Sequence, residues 1–165
     1  MVTMSASGFV LKAHQKDAVD AIDRHFKQSD TAYVVMPTGT GKTIVAIAAA
    51  KLFISDLPVL VLADRKVLCE QLNQEFGRMY GAGSSIVLAN GNNISQKSSI
   101  HVATVQSLEA NIVDDTRYGL VIVMDARLSD MLQKLLEFGS LSASKQLFIS
   151  SLQYPQVEQI AGAPA

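Results

Sequence analysis

The run Met36-Pro37-Thr38-Gly39-Thr40-Gly41-Lys42-Thr43 gathers the residue types that hold a polyphosphate. Gly39 and Gly41 let the main chain turn tightly, so that successive N–H groups converge on phosphate oxygens. A helix beginning at Lys42 adds the partial positive charge of its N-terminus. The Lys42 ammonium can reach the β- and γ-phosphates of a nucleoside triphosphate, and the Thr43 hydroxyl can ligate Mg²⁺. The usual pattern is GxxxxGK(S/T), and here Met36 stands at the first glycine. Pro37 to Thr43 are therefore the candidate nucleotide-binding residues, with Lys42 also a candidate catalytic group.

Such a loop needs a buried strand before it and a helix after it, and both are legible. Ala32–Met36 (AYVVM) is a short continuous apolar run, the pattern of a strand covered on both faces. Lys42–Ile54 is alanine-rich and helical in character. Upstream, Gln15–Lys27 sets Ala18, Val19, Ile22 and Phe26 on one helical stripe. Downstream, Val59–Leu62 reads as a strand, and Asp64–Met79 as a helix with Leu68, Cys69, Leu72 and Phe76 on one face. Ile86–Leu88 and His101–Ala103 read as strands separated by a polar loop, Ala89–Ser99. Leu120–Met124 (LVIVM) is a further strand, Ser129–Phe138 a helix, and Leu147–Ile149 a last short strand. Strands alternating with helices imply βαβ units and a mostly parallel sheet with helices on both faces.

Composition narrows the partners. The 165 residues carry 14 Lys plus Arg against 15 Asp plus Glu, a net charge of −1, with 48% apolar and 18% charged residues. That apolar content can bury enough surface to offset the ordering entropy, which excludes a disordered chain. A strongly basic nucleic-acid arm is excluded too. The low charge points to a sheet buried on both faces or a surface that expects a partner. One cysteine, Cys69, forbids an intrachain disulfide and reads as a buried, inert thiol. His14, His25 and His101 have no paired spacing, so no zinc site is expected. The first residues do not read as a signal peptide, no stretch approaches a membrane span, and a soluble, cytoplasmic chain is expected.

PTGTGKT after an apolar strand, with LKAHQ upstream, resembles the first RecA-like domain of superfamily 2 helicases and translocases, in particular the motor subunits of type I and type III restriction enzymes. In that family Met or Ala commonly fills the position of Met36. The resemblance runs from about Val10 to Tyr154 and implies a RecA-like P-loop α/β fold, a three-layer sandwich that uses ATP and Mg²⁺. It implies a domain over residues 1–153, with 154–165 as a tail or the start of an interdomain linker. Phe9–Gln15 (FVLKAHQ) resembles the adenine-recognising Q motif, with Gln15 reading the adenine edge through its amide. Val61–Gln71 (VLADRKVLCEQ) resembles motif Ia, whose Arg65 and Lys66 would meet nucleic-acid phosphates. Val102–Leu108 (VATVQSL) resembles the next DNA-contact motif, where Thr104, Gln106 and Ser107 would bond a sugar–phosphate backbone.

The resemblance fails at the acids. The family reads DEAH or DExH at a strand end, whereas Tyr118–Ser129 reads YGLVIVMDARLS. Aligned without a gap, Met124 replaces the magnesium-organising aspartate, Asp125 the catalytic glutamate and Arg127 the histidine. A rival alignment makes Asp125 the aspartate and leaves Ala126 at the glutamate. Either way one carboxylate stands where two are needed, with Asp125 the candidate catalytic group and, with Thr43, the candidate metal ligand. Loss of a general base lowers a rate by roughly 10²–10⁴. Motif III, SAT in the family, appears as Ser150-Ser151-Leu152, and the chain has no room for the second RecA-like lobe with its arginine finger.

The resulting expectation is an ATP-binding, hydrolysis-poor helicase-like domain with weak contact to DNA or RNA and a second lobe or protein partner. Two alternatives stay open: a working ATPase half-motor that needs a second lobe, and a decayed fold serving as an interaction or inhibitory module. No NKxD-type guanine-reading motif follows the loop, which disfavours a GTPase.

Overall fold

The first amphipathic stripe forms α1 (Ala13–Phe26) and buries Ala18, Val19, Ile22 and Phe26, as its spacing requires, together with Gln15 and Ala21. The Lys12 N–H donates to Gln15 Oε1 at 3.0 Å and satisfies one orphan donor at the helix start. At the other end His25 Nε2 lies 2.9 Å from the Thr31 carbonyl oxygen. This ties α1 to the start of β1 (Thr31–Val35). The structure, a computed structural model, describes residues 10–37, 41–81, 85–88, 99–111, 116–125, 128–137 and 141–151.

The remaining elements are α2 (Lys42–Leu52), β2 (Val59–Leu62), α3 (Lys66–Tyr80), β3 (Ile86–Val87), β4 (Ile100–Ala103), α4 (Val105–Asn111), β5 (Thr116–Val123), α5 (Ser129–Glu137) and β6 (Leu141–Ser150). The strands form one sheet in the order β1-β6-β5-β2-β4-β3. Every adjacent pair is parallel. This is the RecA-like α/β architecture that the alternation of strands and helices implied.

Period-2 alternation explains the two cores. Val59, Val61, Leu120 and Ile122 face the layer made by α1, α2 and α3. Leu60, Leu62, Val121 and Val123 face the opposite core, which includes Leu108 of α4 and Leu132 of α5. All four residues of β2 are buried, as a strand covered on both faces must be. Helix α2 is buried continuously from Val45 to Ala50, and its alanines let it pack between α1 and α3. Full burial of Ile22, Ile47 and Phe76 contributes about 1.5–3 kcal/mol each.

Three elements differ from the sequence reading. β6 is ten residues long rather than three, because its polar first half (LSASKQ) pairs along β5 from Thr116↔Leu141 onward. β5 starts at Thr116 for the same reason. The stretch after β4, to which the sequence reading gave no helix or strand, is the short helix α4, capped by Thr104, whose Oγ1 accepts the Ser107 N–H at 3.1 Å.

A buried polar pair sits in the second core. His101 and Tyr118 are each 1% exposed. Nδ1 of His101 lies 2.8 Å from the Tyr118 hydroxyl, with the rings edge to face at 5.5 Å. Burial holds the Tyr118 pKa well above the ordinary tyrosine value, so the phenol stays protonated. Tyr118→Phe deprives a buried imidazole of this bond and is expected to cost about 2 kcal/mol. Thermal unfolding should show a Tm lower by roughly 4–8 °C.

Candidate nucleotide site

β1, β2 and β5 end on the same carboxyl edge of the sheet, and each delivers one part of the site. The Met36 N–H donates to the Ser150 carbonyl at 2.9 Å, which fixes the chain beside β6 up to the point where the turn begins. Pro37 is half-buried, while Thr38, Gly39 and Thr40 lie outside the described residues. The described chain resumes at Gly41, the N-cap of α2, with φ +90° and ψ 41°. The Val45 N–H returns to the Gly41 carbonyl at 3.1 Å as the first bond of the helix. Lys42 and Thr43 therefore stand in the first turn of α2, with the helix dipole behind them.

Gly41 and Gln15 explain each other. A methyl group on Gly41 would collide with Gln15 Nε2, and the left-handed backbone disfavours any side chain there. Gln15 is 6% exposed, with its Oε1 engaged by the Lys12 N–H. The amide thus leans on the end of the turn from α1. Gly41→Ala is expected to lower stability by at least about 1–2 kcal/mol and to weaken nucleotide binding. On a Gln15→Ala background the same change should be milder, which thermal unfolding of the four proteins measures.

Two clefts flank Lys42. The inner one, about 640 Å³, runs between α2 and α3 and is lined by Lys42, Thr43, Ile44, Gln71 and Arg78 among others. The outer one, about 420 Å³, is lined by Lys42, Asp64, Arg65, Val67 and Asp125 among others. Lys42, Ala63, Leu68 and Met124 belong to both. The Met124 N–H donates to the Leu62 carbonyl at 3.0 Å, so the ladder continues one residue past β5. In the phase of Leu120 and Ile122, the Met124 side chain packs against the core of α1, α2 and α3. Asp125, one residue on, enters only the outer cleft.

Of the two expected metal ligands, Thr43 lines the inner cleft and Asp125 the adjoining outer one, and the two clefts meet at Lys42 and Met124. Among the described residues no three of His, Cys, Asp and Glu converge on one point. Mg²⁺ takes hard oxygen ligands and usually keeps several waters beside one or two protein groups and the substrate phosphates, and the Thr43 hydroxyl and the Asp125 carboxylate are the groups here that would hold it. Charge in the outer cleft is balanced between Lys42 and Arg65 on one side and Asp64 and Asp125 on the other. The Arg65–Asp64 contact is loose, 3.8 Å, with the arginine side chain 77% exposed. Below it, burial pushes the Cys69 thiol up to about 11, so it remains protonated.

The nucleic-acid candidates follow neighbouring strands. Arg65 and Lys66 are exposed at the start of α3 after β2, and Gln106 is exposed on α4 after β4. Thr104 is buried, and its hydroxyl is engaged with Ser107 at 3.1 Å. Ser150 is buried beside the turn, and Leu152 and Arg127 lie outside the described residues. Sequence reading missed Asp64 as a lining residue, although its place just past the end of β2 marked it, and it put Leu68 on the apolar face of α3, where the structure leaves it exposed and lining both clefts. It also left Met124 undecided, although counting alternate residues along β5 assigns it to the α2 side.

A sequence model of the type III restriction enzyme res subunit matches residues 8–135. The chain belongs to this family. Its fold is the superfamily 2 RecA-like domain, and membership implies an ATP site, usually one that works with Mg²⁺. Among solved structures, the Sulfolobus solfataricus SWI2/SNF2 ATPase core in complex with dsDNA matches with a TM-score of 0.71 at 14% identity, covering 93% of this chain and 35% of that one. The UvsW helicase from bacteriophage T4 matches at 0.67 and 14% identity, covering 91% and 55%. A nuclease-deletion mutant of the type ISP restriction-modification enzyme LlaGI, in complex with a DNA substrate mimic, matches at 0.65 and 16% identity, covering 93% and 19%. This member of the res-subunit family thus spans about half or less of each of those chains. Among curated proteins no sequence matches it. No helix among the described residues is long and apolar enough to cross a membrane.

Proposed function

We propose that this res-subunit relative is the ATP-binding RecA-like module of a helicase- or translocase-type assembly and hydrolyses ATP poorly. The observation that carries the reading is the Gly41-Lys42-Thr43 helix start with Met124, rather than a carboxylate, beside Lys42. The amides of the turn and the Lys42 ammonium bind and orient the triphosphate, and Gln15 braces the end of the turn. Asp125, just past the end of β5, is the carboxylate assigned to orient water. A single acid cannot both organise the phosphates and activate the nucleophile.

The exposed large apolar residues favour a partner over the site. Among the described residues these are Val10, Val67, Leu68 and Met131. Val10 precedes α1, Val67 and Leu68 open α3, and Met131 opens α5, all at the carboxyl edge of the sheet. A second RecA-like lobe covering that edge is the occupant that the family implies, which keeps the half-motor reading alive. Nucleic-acid contact through Lys66, Gln106 and their neighbours is weak, because a net charge of −1 leaves no broad basic surface to neutralise phosphates.

Thermal unfolding with millimolar ATP tests the binding claim, since a ligand that binds the folded state raises Tm. Steady-state ATP turnover, with and without single- and double-stranded DNA, tests the rest. Turnover at background is the expected result, and full activity in the unaltered chain overturns the hydrolysis-poor reading.

A further inference from the structure

We infer that the start of α3 is a self-association surface, on which a second copy of this chain seats about a two-fold axis. It lies at the edge of the sheet where a second lobe is proposed, but it rests on residues of α3 alone and needs no nucleotide. Helix α3 buries Cys69, Leu72, Phe76 and Met79 in the core. Val67 and Leu68 stand off that stripe, 60% and 40% exposed. Residues 65–68 are exposed in succession, so the helix begins with an apolar pair in solvent beside charged neighbours. Apolar side chains gathered inside a polar rim are the anatomy of a protein interface.

Charge selects the occupant. Beside Val67 and Leu68, Lys42 and Arg65 are matched by Asp64 and Asp125, so the lining carries no net sign. A nucleic acid requires an excess of positive charge, and a strongly charged protein requires an excess of the opposite sign. A surface that carries both signs in equal number is complementary to itself. In a two-fold contact residue i meets j while j meets i. Arg65 of one copy then reaches Asp64 of the other, and the reverse, with Val67 and Leu68 of both copies at the centre. Within one chain the Arg65–Asp64 contact is 3.8 Å, on an arginine side chain 77% exposed. It is a weak surface pair, and the guanidinium can turn from it to a neighbouring copy.

Sedimentation equilibrium of the chain without nucleotide, at rising sub-millimolar concentration, tests this. A monomer–dimer equilibrium is the expected result. Arg65→Asp and Asp64→Arg each set like charges face to face, and each substitution enters a two-fold contact twice. Either one should weaken the dimer by roughly tenfold or more. Mixing the two variants in equal amounts restores opposite charges across the contact, and the mixture should associate about as tightly as the parent. Val67→Asp should weaken the dimer by a similar factor, because it places a charge at the apolar centre. Thermal unfolding of each variant shows that it is folded. Should Asp64→Arg not fold, Arg65→Asp and Val67→Asp, both on exposed side chains, still decide. A parent that stays monomeric throughout overturns the inference. So does a dimer that either Arg65→Asp or Val67→Asp leaves unchanged, or a mixture of folded charge variants no tighter than each alone.

Discussion

Lys42→Ala removes the ATP-dependent rise in Tm while leaving the fold intact. Lys42 is half-buried in the first turn of α2 and lines both clefts. It sits just outside the continuous buried run from Val45 to Ala50 that anchors the helix. Its loss therefore leaves the core untouched and takes away the main positive charge at the turn. A hydrogen bond to a charged group is worth about 1.5–3 kcal/mol, so affinity should fall by roughly 10- to 100-fold. Thermal unfolding without nucleotide should differ little from the parent. An undiminished shift with ATP would mean that the nucleotide, if bound, sits elsewhere.

The larger gain is expected from restoring the acids. Met124→Asp with Asp125→Glu places a carboxylate on the α2 side of β5 and a longer one at the outer cleft. With a second RecA-like lobe supplied, ATP turnover should rise from background by roughly 10²–10⁴, the range that a positioned general base contributes. Met124→Asp alone exchanges a half-buried thioether packed on the core for a charge, and some stability is lost with it. The double variant's Tm must therefore be measured beside its rate. A folded double variant with no turnover, given the lobe, would show that erosion elsewhere, as at Leu152, also limits the chemistry.

The strands that carry the site were legible because parallel strands buried on both faces read as apolar runs. AYVVM, VLVL and LVIVM needed no further information, and the helix after the turn followed from Gly41-Lys42. The first half of β6 was not legible. LSASKQ has alternation too weak to read, and it becomes a strand because the start of β5 lies alongside to pair with it. The helix α4 was missed because VQSLEAN is short and polar outside. Its capping residue, Thr104, looked like a ligand-binding hydroxyl, which shows how capping and phosphate contact draw on the same residue types. At the acids, sequence alone allowed two alignments. The ladder bond from Met124 to Leu62 and the packing of Met124 put its side chain on the α2 side, the side that alternation along β5 already implied.

Under the reading proposed above, the apolar residues that line the outer cleft would tie two equilibria together. Val67 and Leu68 are exposed and line the outer cleft, so with a triphosphate bound as proposed, a protein seated on them would shield it from bulk solvent. Occupancy of one then strengthens the other by an equal factor, since binding free energies couple reciprocally. On that reading, such a chain would report its nucleotide through the partner it holds, with no need of turnover.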